Sequence, residues 1–255
     1  MILAAWNQAQ GVPIHNWFWI GAALLAVGMM FFLLMGLADG PGHENHFTTS
    51  FFINLIAATT YLAMAMGLGS AVNADGNVFY YARYIDWLLT TPLLLLNLAM
   101  VATFNVGRKT ALVAAIMGLD VFMIVTGLIA AMTSGSAKWV FYFLSCLAFL
   151  GVIALIWSVL RREAAKLTFE ELHVYNTVTG LLTALWLLYP LVWLVGTEGL
   201  GTVSASIEAM LYMFLDVAAK LGFGLVLLSS VRKMVPKQAT ADEIEDILVP
   251  VAATA

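Results

Sequence analysis

A single lysine interrupts an apolar run in LYMFLDVAAKLGFG, residues 211–224, which otherwise has the composition of a membrane-spanning helix. A charged ammonium in the middle of such a helix costs about 3 kcal/mol on insertion scales. Lys220 therefore needs a compensating anion, a lost proton or a covalent partner. Asp216 lies four residues earlier, which places its carboxylate on the same helix face, one turn away.

Two interpretations of this pair are open at this point. A desolvated lysine readily forms a Schiff base with a carbonyl ligand, so Lys220 can hold an aldehyde cofactor with Asp216 as part of its counter-ion. Alternatively, the two side chains form a structural ion pair within the membrane. The segment alone does not decide between them.

The whole chain has the composition of a polytopic membrane protein. Of its 255 residues, 62% are hydrophobic and only 10% are charged, and the mean hydropathy is +0.94. These values exclude an ordinary soluble domain and a disordered chain. Seven apolar segments are long enough, at about 20 residues each, to cross a bilayer: 17–38, 48–70, 79–101, 110–132, 138–160, 174–196 and 204–230. Short links predict an all-α, seven-transmembrane helix bundle, with a single domain over residues 1–255, in the cell membrane.

Lysines and arginines predict how the bundle is oriented. Most of them follow the third, fifth and seventh segments: Arg108, Lys109, Arg161, Arg162, Lys166, Arg232, Lys233 and Lys237. The positive-inside rule then places the N-terminus outside and the C-terminus in the cytoplasm. Lys138 is the exception, on the outer side.

Other reactive side chains give weaker indications. The single cysteine, Cys146, excludes a disulfide within the chain. Asp120 is expected to be a structural, hydrogen-bonded acid. The histidines lack metal-ligand spacing, so we expect no metal, and we place all four at helix ends or interfaces: His15, His43, His46 and His173. No nucleic-acid partner is expected.

The third segment carries a stripe of polar side chains. Arg83, Asp86, Thr90 and Asn97 are three, four and seven residues apart, so they share one helix face. Asp86 and Asn97 are about 16 Å apart along the axis, roughly half the hydrocarbon core. Such a file suits a proton or ion path; the alternative is a set of buried hydrogen bonds that locks the bundle. Because carboxylates and a lysine lie on different segments, we favour the path.

Two further groups have a structural and a functional interpretation. Trp186, Tyr189 and Trp193 share a face of the sixth segment, a spacing typical of core or belt aromatics, but also compatible with a flat cofactor pocket. Glu198 and Glu208 lie near the outer surface. A close pair of carboxylates can share one proton, but the residues alone favour two ordinary solvated glutamates.

Three stretches together carry a family resemblance: ARYIDWLLTTPLLLL at 82–96, YPLVWLVGTEG at 189–199 and LDVAAKLGFG at 215–224. Over nearly its whole length the chain resembles the microbial (type 1) rhodopsins, and among them the bacteriorhodopsin group. The resemblance implies all-trans retinal bound to Lys220 as a protonated Schiff base. It also implies roles for five charged side chains as proton acceptor, second counter-ion, shuttle and release pair: Asp86, Asp216, Arg83, and Glu198 with Glu208.

The resemblance also implies a retinal pocket around Lys220. Its residues are Tyr84, Trp87, Thr90, Leu94, Met123, Gly127, Tyr142, Ser145, Phe149, Trp186, Tyr189, Trp193, Asp216 and Ala219, with Tyr61 beside Asp216. The types at positions 94 and 219 suggest green absorption. Tyr142 is bulky where carotenoid-binding relatives carry glycine, so no antenna is expected. Membrane lipid, protons, internal water and a homotrimer are the partners that the resemblance suggests.

The chain departs from this family at its inner half. Asn97 replaces the aspartate that returns a proton to the Schiff base, and an amide has no titratable proton to give. Ser50 and Asn54 replace a threonine and a proline of that region. We therefore expect a remodelled inner path and slow reprotonation from water.

The leading hypothesis is a light-driven outward proton pump, a transporter rather than an enzyme. The alternative is a sensory photoreceptor that signals to a separate transducer, since sensors of this family often lack the inner carboxylate. An anion pump is disfavoured because Asp86 would repel chloride, and a sodium pump would carry a different trio at positions 86, 90 and 97.

Overall fold

Seven long helices make up the protein. The computed structural model describes residues 13–38, 44–103 and 110–232. The helices are α1 (Pro13–Ala38), α2 (Glu44–Ala65), α3 (Tyr81–Ala102), α4 (Thr110–Met132), α5 (Gly135–Ala164), α6 (Phe169–Val195) and α7 (Ala205–Val231). All seven are long and apolar enough to cross a membrane. The predicted seven-helix membrane fold is confirmed.

The helices pack as a closed bundle. Sequential helices from α1 to α5 are neighbours, and α7 packs back against α1. Helices α3 and α7 are the most buried of the seven, whereas α1, α4 and α5 bury little of their surface. The two helices that carry Asp86 and Lys220 therefore form the interior, and the outward faces of the other helices are mostly apolar.

Several helix ends differ from the apolar segments in the sequence. Helix α2 begins at Glu44 and ends at Ala65, whereas apolarity predicts 48–70; Gly67 and Gly69, with φ of 79° and 74°, end it early. Helix α6 begins at Phe169, five residues before the predicted start. A capping box of Thr168 and Glu171 fixes that start.

A short β-hairpin that the sequence does not predict lies between α2 and α3. Its strands are β1 (Ala71–Val72) and β2 (Val78–Phe79), paired antiparallel. The side-chain oxygen of Asn73 accepts hydrogen bonds from the backbone of Asp75 and Asn77, which closes the turn.

Three irregularities interrupt the long helices. Helix α5 contains a π-helical turn, Ile156–Leu160, and α7 contains another, Ala218–Gly222, which carries Lys220. Helix α6 is divided into Phe169–Trp186 and Leu188–Val195, where Pro190 lacks the N–H that would bond the Trp186 carbonyl. Helix α3 runs unbroken through its own proline. π-turns in long helices are frequent at functional sites.

The two ends of the bundle can now be distinguished. We call the end with the β-hairpin and the α6–α7 link the outer end, and the opposite end, with Arg161, Arg162, Lys166 and Arg232, the inner end. Four of the basic residues behind the predicted orientation, and one histidine, lie outside the described residues: Arg108, Lys109, Lys233, Lys237 and His43. The orientation in the membrane stays a prediction.

Candidate functional site

Lys220 is buried in the centre of the bundle between two carboxylates. Its Nζ lies 2.6 Å from Oδ2 of Asp86 on α3 and 2.7 Å from Oδ1 of Asp216 on its own helix. All three side chains are almost inaccessible to solvent. One buried cation thus faces two anions, an arrangement that compensates the cost of burying the lysine.

The two carboxylates differ in their surroundings. Asp216 accepts hydrogen bonds from Tyr61 Oη at 2.7 Å, Tyr189 Oη at 3.0 Å and Trp87 Nε1 at 3.2 Å. These donors come from α2, α6 and α3, so they hold the carboxylate in place and stabilise its charge. Asp86 faces Lys220 directly, while the Thr90 hydroxyl beside it donates to the Asp86 backbone carbonyl at 2.8 Å.

A cavity extends from Lys220 between α3, α4, α5 and α6. Its empty space, including the open mouth, is about 770 Å³. Every residue of the predicted pocket lines it except Thr90. Five lining residues were not predicted: Thr91, Ile124, Cys146, Pro190 and Tyr212. Four of these are chain neighbours of predicted residues, and Tyr212 lies two turns before Lys220 on the same face.

The walls of this cavity are flat aromatic rings. Tyr142 and Trp193 stack with centroids 4.5 Å apart, and Trp87 meets Tyr189 edge-on at 5.4 Å. Tyr142 Oη also donates to the Pro190 carbonyl at 3.0 Å, which ties α5 to the divided helix α6. A flat apolar slot, closed at one end by a primary amine with two carboxylates, fits a conjugated aldehyde such as retinal.

A second charged cluster lies toward the outer end. Arg83 Nη1 is 3.1 Å from Glu208 Oε1 and 3.9 Å from Glu198 Oε1, and its guanidinium lies 4.1 Å from the centre of the Tyr212 ring. The two glutamates are only 1% and 3% exposed. The interpretation of ordinary solvated glutamates, which the residues alone favour, is therefore wrong.

Each glutamate of this pair is held by further donors. Thr197 donates to Glu208 Oε2 from its backbone N–H and its hydroxyl, both at 2.7 Å. Tyr84 Oη donates to Glu198 Oε2 at 2.6 Å and in turn accepts from Trp193 Nε1 at 2.8 Å. A cavity-lining tyrosine thus connects the cofactor slot to the outer pair.

The protonation of Glu198 follows from its burial. Desolvation, reinforced by the negative charge of Glu208 and opposed by Arg83, raises the pKa of Glu198 to about 7. Its carboxyl group therefore holds a proton below neutral pH.

The inner half contains a contact that the sequence analysis missed. Asn97 is buried, and its Oδ1 lies 3.0 Å from Nδ1 of His46 on α2. His46 lies near a helix end, as expected, but it is only 4% exposed, so it faces the interior of the bundle rather than an interface. The four-residue spacing of His46, Ser50 and Asn54 is the signal that points to an inward face.

The remaining candidates lie apart from these clusters. Asp120 is buried and accepts a hydrogen bond from the Thr91 hydroxyl at 2.7 Å. Lys138 is buried at the outer end and bonds Asp75 of the hairpin turn. His15 lies near the Ala65 carbonyl, at 3.2 Å. Within the described ranges, no group of three His, Cys, Asp or Glu side chains could hold a metal ion.

Comparisons with known proteins identify the family of this chain. Residues 13–234 match the family described as bacteriorhodopsin-like protein. Archaerhodopsin-2 of Halobacterium sp. (strain aus-2) is 42% identical over 227 residues, 86% of each chain. The crystal structure of thermophilic rhodopsin from Rubrobacter xylanophilus aligns with a TM-score of 0.83 and 43% identity, covering 86% of this chain and 96% of that one.

A further solved structure is the light-driven proton pump Coccomyxa subellipsoidea rhodopsin CsR, with a TM-score of 0.81 and 34% identity. The alignment covers 87% of this chain and 98% of that one. The family match spans most of the chain and includes both central helices. The chain therefore belongs to the bacteriorhodopsin-like proteins, the microbial (type 1) rhodopsins.

Proposed function

We propose that this protein is a light-driven outward proton pump with all-trans retinal bound covalently to Lys220. Proteins of its family are light-driven transporters, not enzymes, and the Coccomyxa relative is titled a light-driven proton pump. The observation that carries the proposal is the 2.6 Å contact between Lys220 Nζ and Asp86 Oδ2. In this proposal Asp86 is the proton acceptor, and it lies directly against the nitrogen that would bear the cofactor.

The residues of the cavity fit the cofactor and divide the work around it. When bound, retinal supplies light absorption and a light-driven change of shape at the Lys220 nitrogen. The aromatic walls keep water from the apolar part of the slot. Asp216 is held in place by three donors, while Asp86 would take the proton from Lys220 Nζ.

The outer cluster would complete the outward half of the path. Asp86 follows Arg83 by three residues on α3, so once Asp86 is neutral its charge would no longer oppose the attraction of Arg83 to Glu198 and Glu208. That attraction favours the ionised form of the pair, so Glu198 releases its proton toward the outer end.

The inner half of the bundle would set the rate at which a proton returns to Lys220 Nζ. Asn97 stands where a carboxylic acid would pass a proton to Lys220 Nζ, and an amide cannot do so. We infer that reprotonation is slow and depends on the pH of the inner side. The predicted orientation, lipid environment, single domain over residues 1–255 and homotrimer belong to this proposal.

Asp86→Asn tests the proposal most simply. The amide cannot accept the proton, so light-driven acidification should fall about a hundredfold or more. The absorption maximum should shift to the red, because a negative charge beside the cationic nitrogen is lost. Asp120→Asn, another buried carboxyl, should still pump. Full pumping by Asp86→Asn would contradict the proposed acceptor.

Asn97→Asp tests the slow return. A carboxyl group at this buried position can hold a proton for Lys220 Nζ, so the pigment should recover about tenfold faster after a flash. Asn176→Asp makes the same change near the inner end, away from the path, and should leave recovery unchanged. An unchanged rate in Asn97→Asp would place the limiting step elsewhere.

The second candidate is a sensory photoreceptor with a separate transducer, and Asn97 is the observation that favours it. The intact cluster of Arg83, Glu198 and Glu208 argues against it, because a sensor has no need of proton release. A pigment that cycles in light without moving protons across the membrane would favour the sensor.

A further inference from the structure

Helix α2 presents a buried polar face toward the inner half of the bundle. His46, Ser50 and Asn54 are four residues apart and all three are buried, so they form one stripe along the helix. The stripe is about 12 Å long at 1.5 Å per residue. Its direction is along the path that a proton must take from the inner end toward Lys220.

One end of this stripe contacts Asn97, and the other end lies close to the π-turn that carries Lys220. At its inner end, His46 Nδ1 contacts Asn97 Oδ1 at 3.0 Å. At its other end, Asn54 lies where α1 and α7 approach: a Cβ built on Gly28 would be 2.6 Å from Asn54 Oδ1 and 2.9 Å from Leu221 Cδ1. Leu221 follows Lys220 within the π-turn.

Three polar atoms along this route lack a hydrogen-bond partner among the described residues. They are Ser50 Oγ, Asn54 Oδ1 and Asn97 Nδ2. Buried polar atoms are nearly always hydrogen-bonded, and internal water is the usual partner when protein groups are absent. The three atoms therefore mark a line along which water can be held.

The hydrogen bond to Asn97 fixes which nitrogen of His46 can titrate. An amide oxygen only accepts, so Nδ1 of His46 carries a hydrogen and Nε2 is the nitrogen that gains or loses a proton. An imidazole with an ordinary pKa of about 6.5 exchanges protons near neutral pH, which neither serine nor asparagine does.

The charged groups around His46 come from two helices. Glu44 lies two residues earlier on α2, and the Arg232 guanidinium of α7 lies 5.2 Å from the ring centre of Phe47, the next residue. The inner halves of α1 and α3, residues 26–38 and 92–102, contribute no titratable side chain in the described part of the chain. His46 is thus the titratable group that joins this surface to the buried stripe.

We propose that His46 is the inner proton relay of this protein. The N–H bond at His46 Nε2 breaks, its proton passes along water held beside the stripe, and an N–H bond forms at Lys220 Nζ. Neutral His46 then takes a new proton from the inner side. Asn97 positions the imidazole rather than donating. This inference rests on the proposed outward pump, and it names the group through which protons return.

His46→Gln tests the relay in the purified, retinal-loaded protein by flash absorbance. Removing the imidazole should slow the return of the proton to Lys220 Nζ about tenfold at pH 7. In this variant the rate of return should fall tenfold for each unit by which the pH rises. The resting absorption maximum and the initial transfer of the proton to Asp86 should not change. A general structural defect would alter both. His173→Gln, an exposed histidine near the same end, should behave as the unmodified protein.

The outcomes separate this inference from the pump itself. If the unmodified protein does not acidify its medium in light, the proposed function fails. If it pumps, and His46→Gln recovers at the unmodified rate between pH 5 and 9, the relay is overturned and the pump stands. If His46→Gln binds no retinal, infrared difference spectra of the unmodified protein with ¹³C-labelled histidine decide. An imidazole band that appears as Lys220 Nζ regains its proton supports the relay, and spectra without one overturn it.

Discussion

Environment, rather than residue type, divides the roles of the two central aspartates. Asp216 is held by three neutral donors from three helices, whereas Asp86 faces the lysine nitrogen directly. Hydrogen bonds to a carboxylate favour its charged form. In the proposed pump Asp86 is therefore the carboxylate placed to take the proton and Asp216 the one held in place, although both lie within 2.7 Å of Lys220 Nζ.

At the same scale, Glu198 predicts a pH dependence. Its pKa of about 7 is raised by burial and by Glu208, so the side chain holds a proton below that pH and loses it above. We therefore expect early release, meaning the amount of protons that leaves at the outer end soon after a flash, to be complete near pH 5, about half near pH 7 and small near pH 9. A pH-sensitive dye outside proteoliposomes measures this amount.

The variant Glu198→Gln should abolish the early release at every pH, whereas Glu170→Gln, an exposed glutamate, should not. The raised pKa of Glu198 also makes stability depend on pH. Its contribution to the free energy of unfolding is full below the pKa that this side chain has in the unfolded chain, and it is lost as the pH rises toward 7. Complete early release at pH 9 would show that Glu198 is not the group that supplies the proton.

Residue-level prediction succeeded where local spacing carries the chemistry. Lys220 and Asp216 are one turn apart in the sequence, and their contact follows from helix geometry. The Glu198–Glu208 pair and His46 depend on contacts between helices, which burial decides and spacing alone does not. The family resemblance singled out the two glutamates, which the structure shows buried beside Arg83, but it gave no reason to examine His46.

At the scale of helices, apolarity predicted the membrane spans but not their ends. Helix α6 starts five residues early because Thr168 and Glu171 cap its first turn, and a capped polar turn has no apolar signal. Hydropathy likewise gives no indication of the π-turn at Lys220 or of the hairpin between α2 and α3. Packing around the lysine determines the π-turn, and the turn residues after Gly69 determine the hairpin.

The contact between α1 and α2 predicts the effect of one small substitution. A Cβ at Gly21 would lie 2.4 Å from Tyr61 Cδ1, and Tyr61 is buried and bonds Asp216. Gly21→Ala should therefore displace the ring, destabilise the protein by about 1–3 kcal/mol and shift the absorption maximum. Thermal loss of the pigment colour measures the first effect, and a spectrum measures the second.

Gly118→Ala provides the matched control on α4. A Cβ at Gly118 meets nothing within 4 Å, so this variant should be as stable as the unmodified protein or slightly more so. If both alanine variants keep the same melting temperature and colour, Tyr61 is not held by the close approach of α1.

Considered as a whole, the molecule places its polar groups along one axis and its apolar groups around it. Helices α3 and α7 contribute the central charges, α2 and α6 add donors, and α1, α4 and α5 turn mostly apolar faces outward. From the inner to the outer end, the order is His46 with Asn97, then Lys220 with its aspartates, then Arg83 with its glutamates. In the proposed pump, protons would follow this order from the inner to the outer end.

Light-induced pH change in an unbuffered suspension of cells that express the chain with retinal tests this account most directly. Under green light the medium should acidify, a protonophore should abolish the change, and cells with Lys220→Ala should stay colourless and show no response. A pigment that bleaches and recovers in light while the external pH stays constant would contradict outward proton pumping.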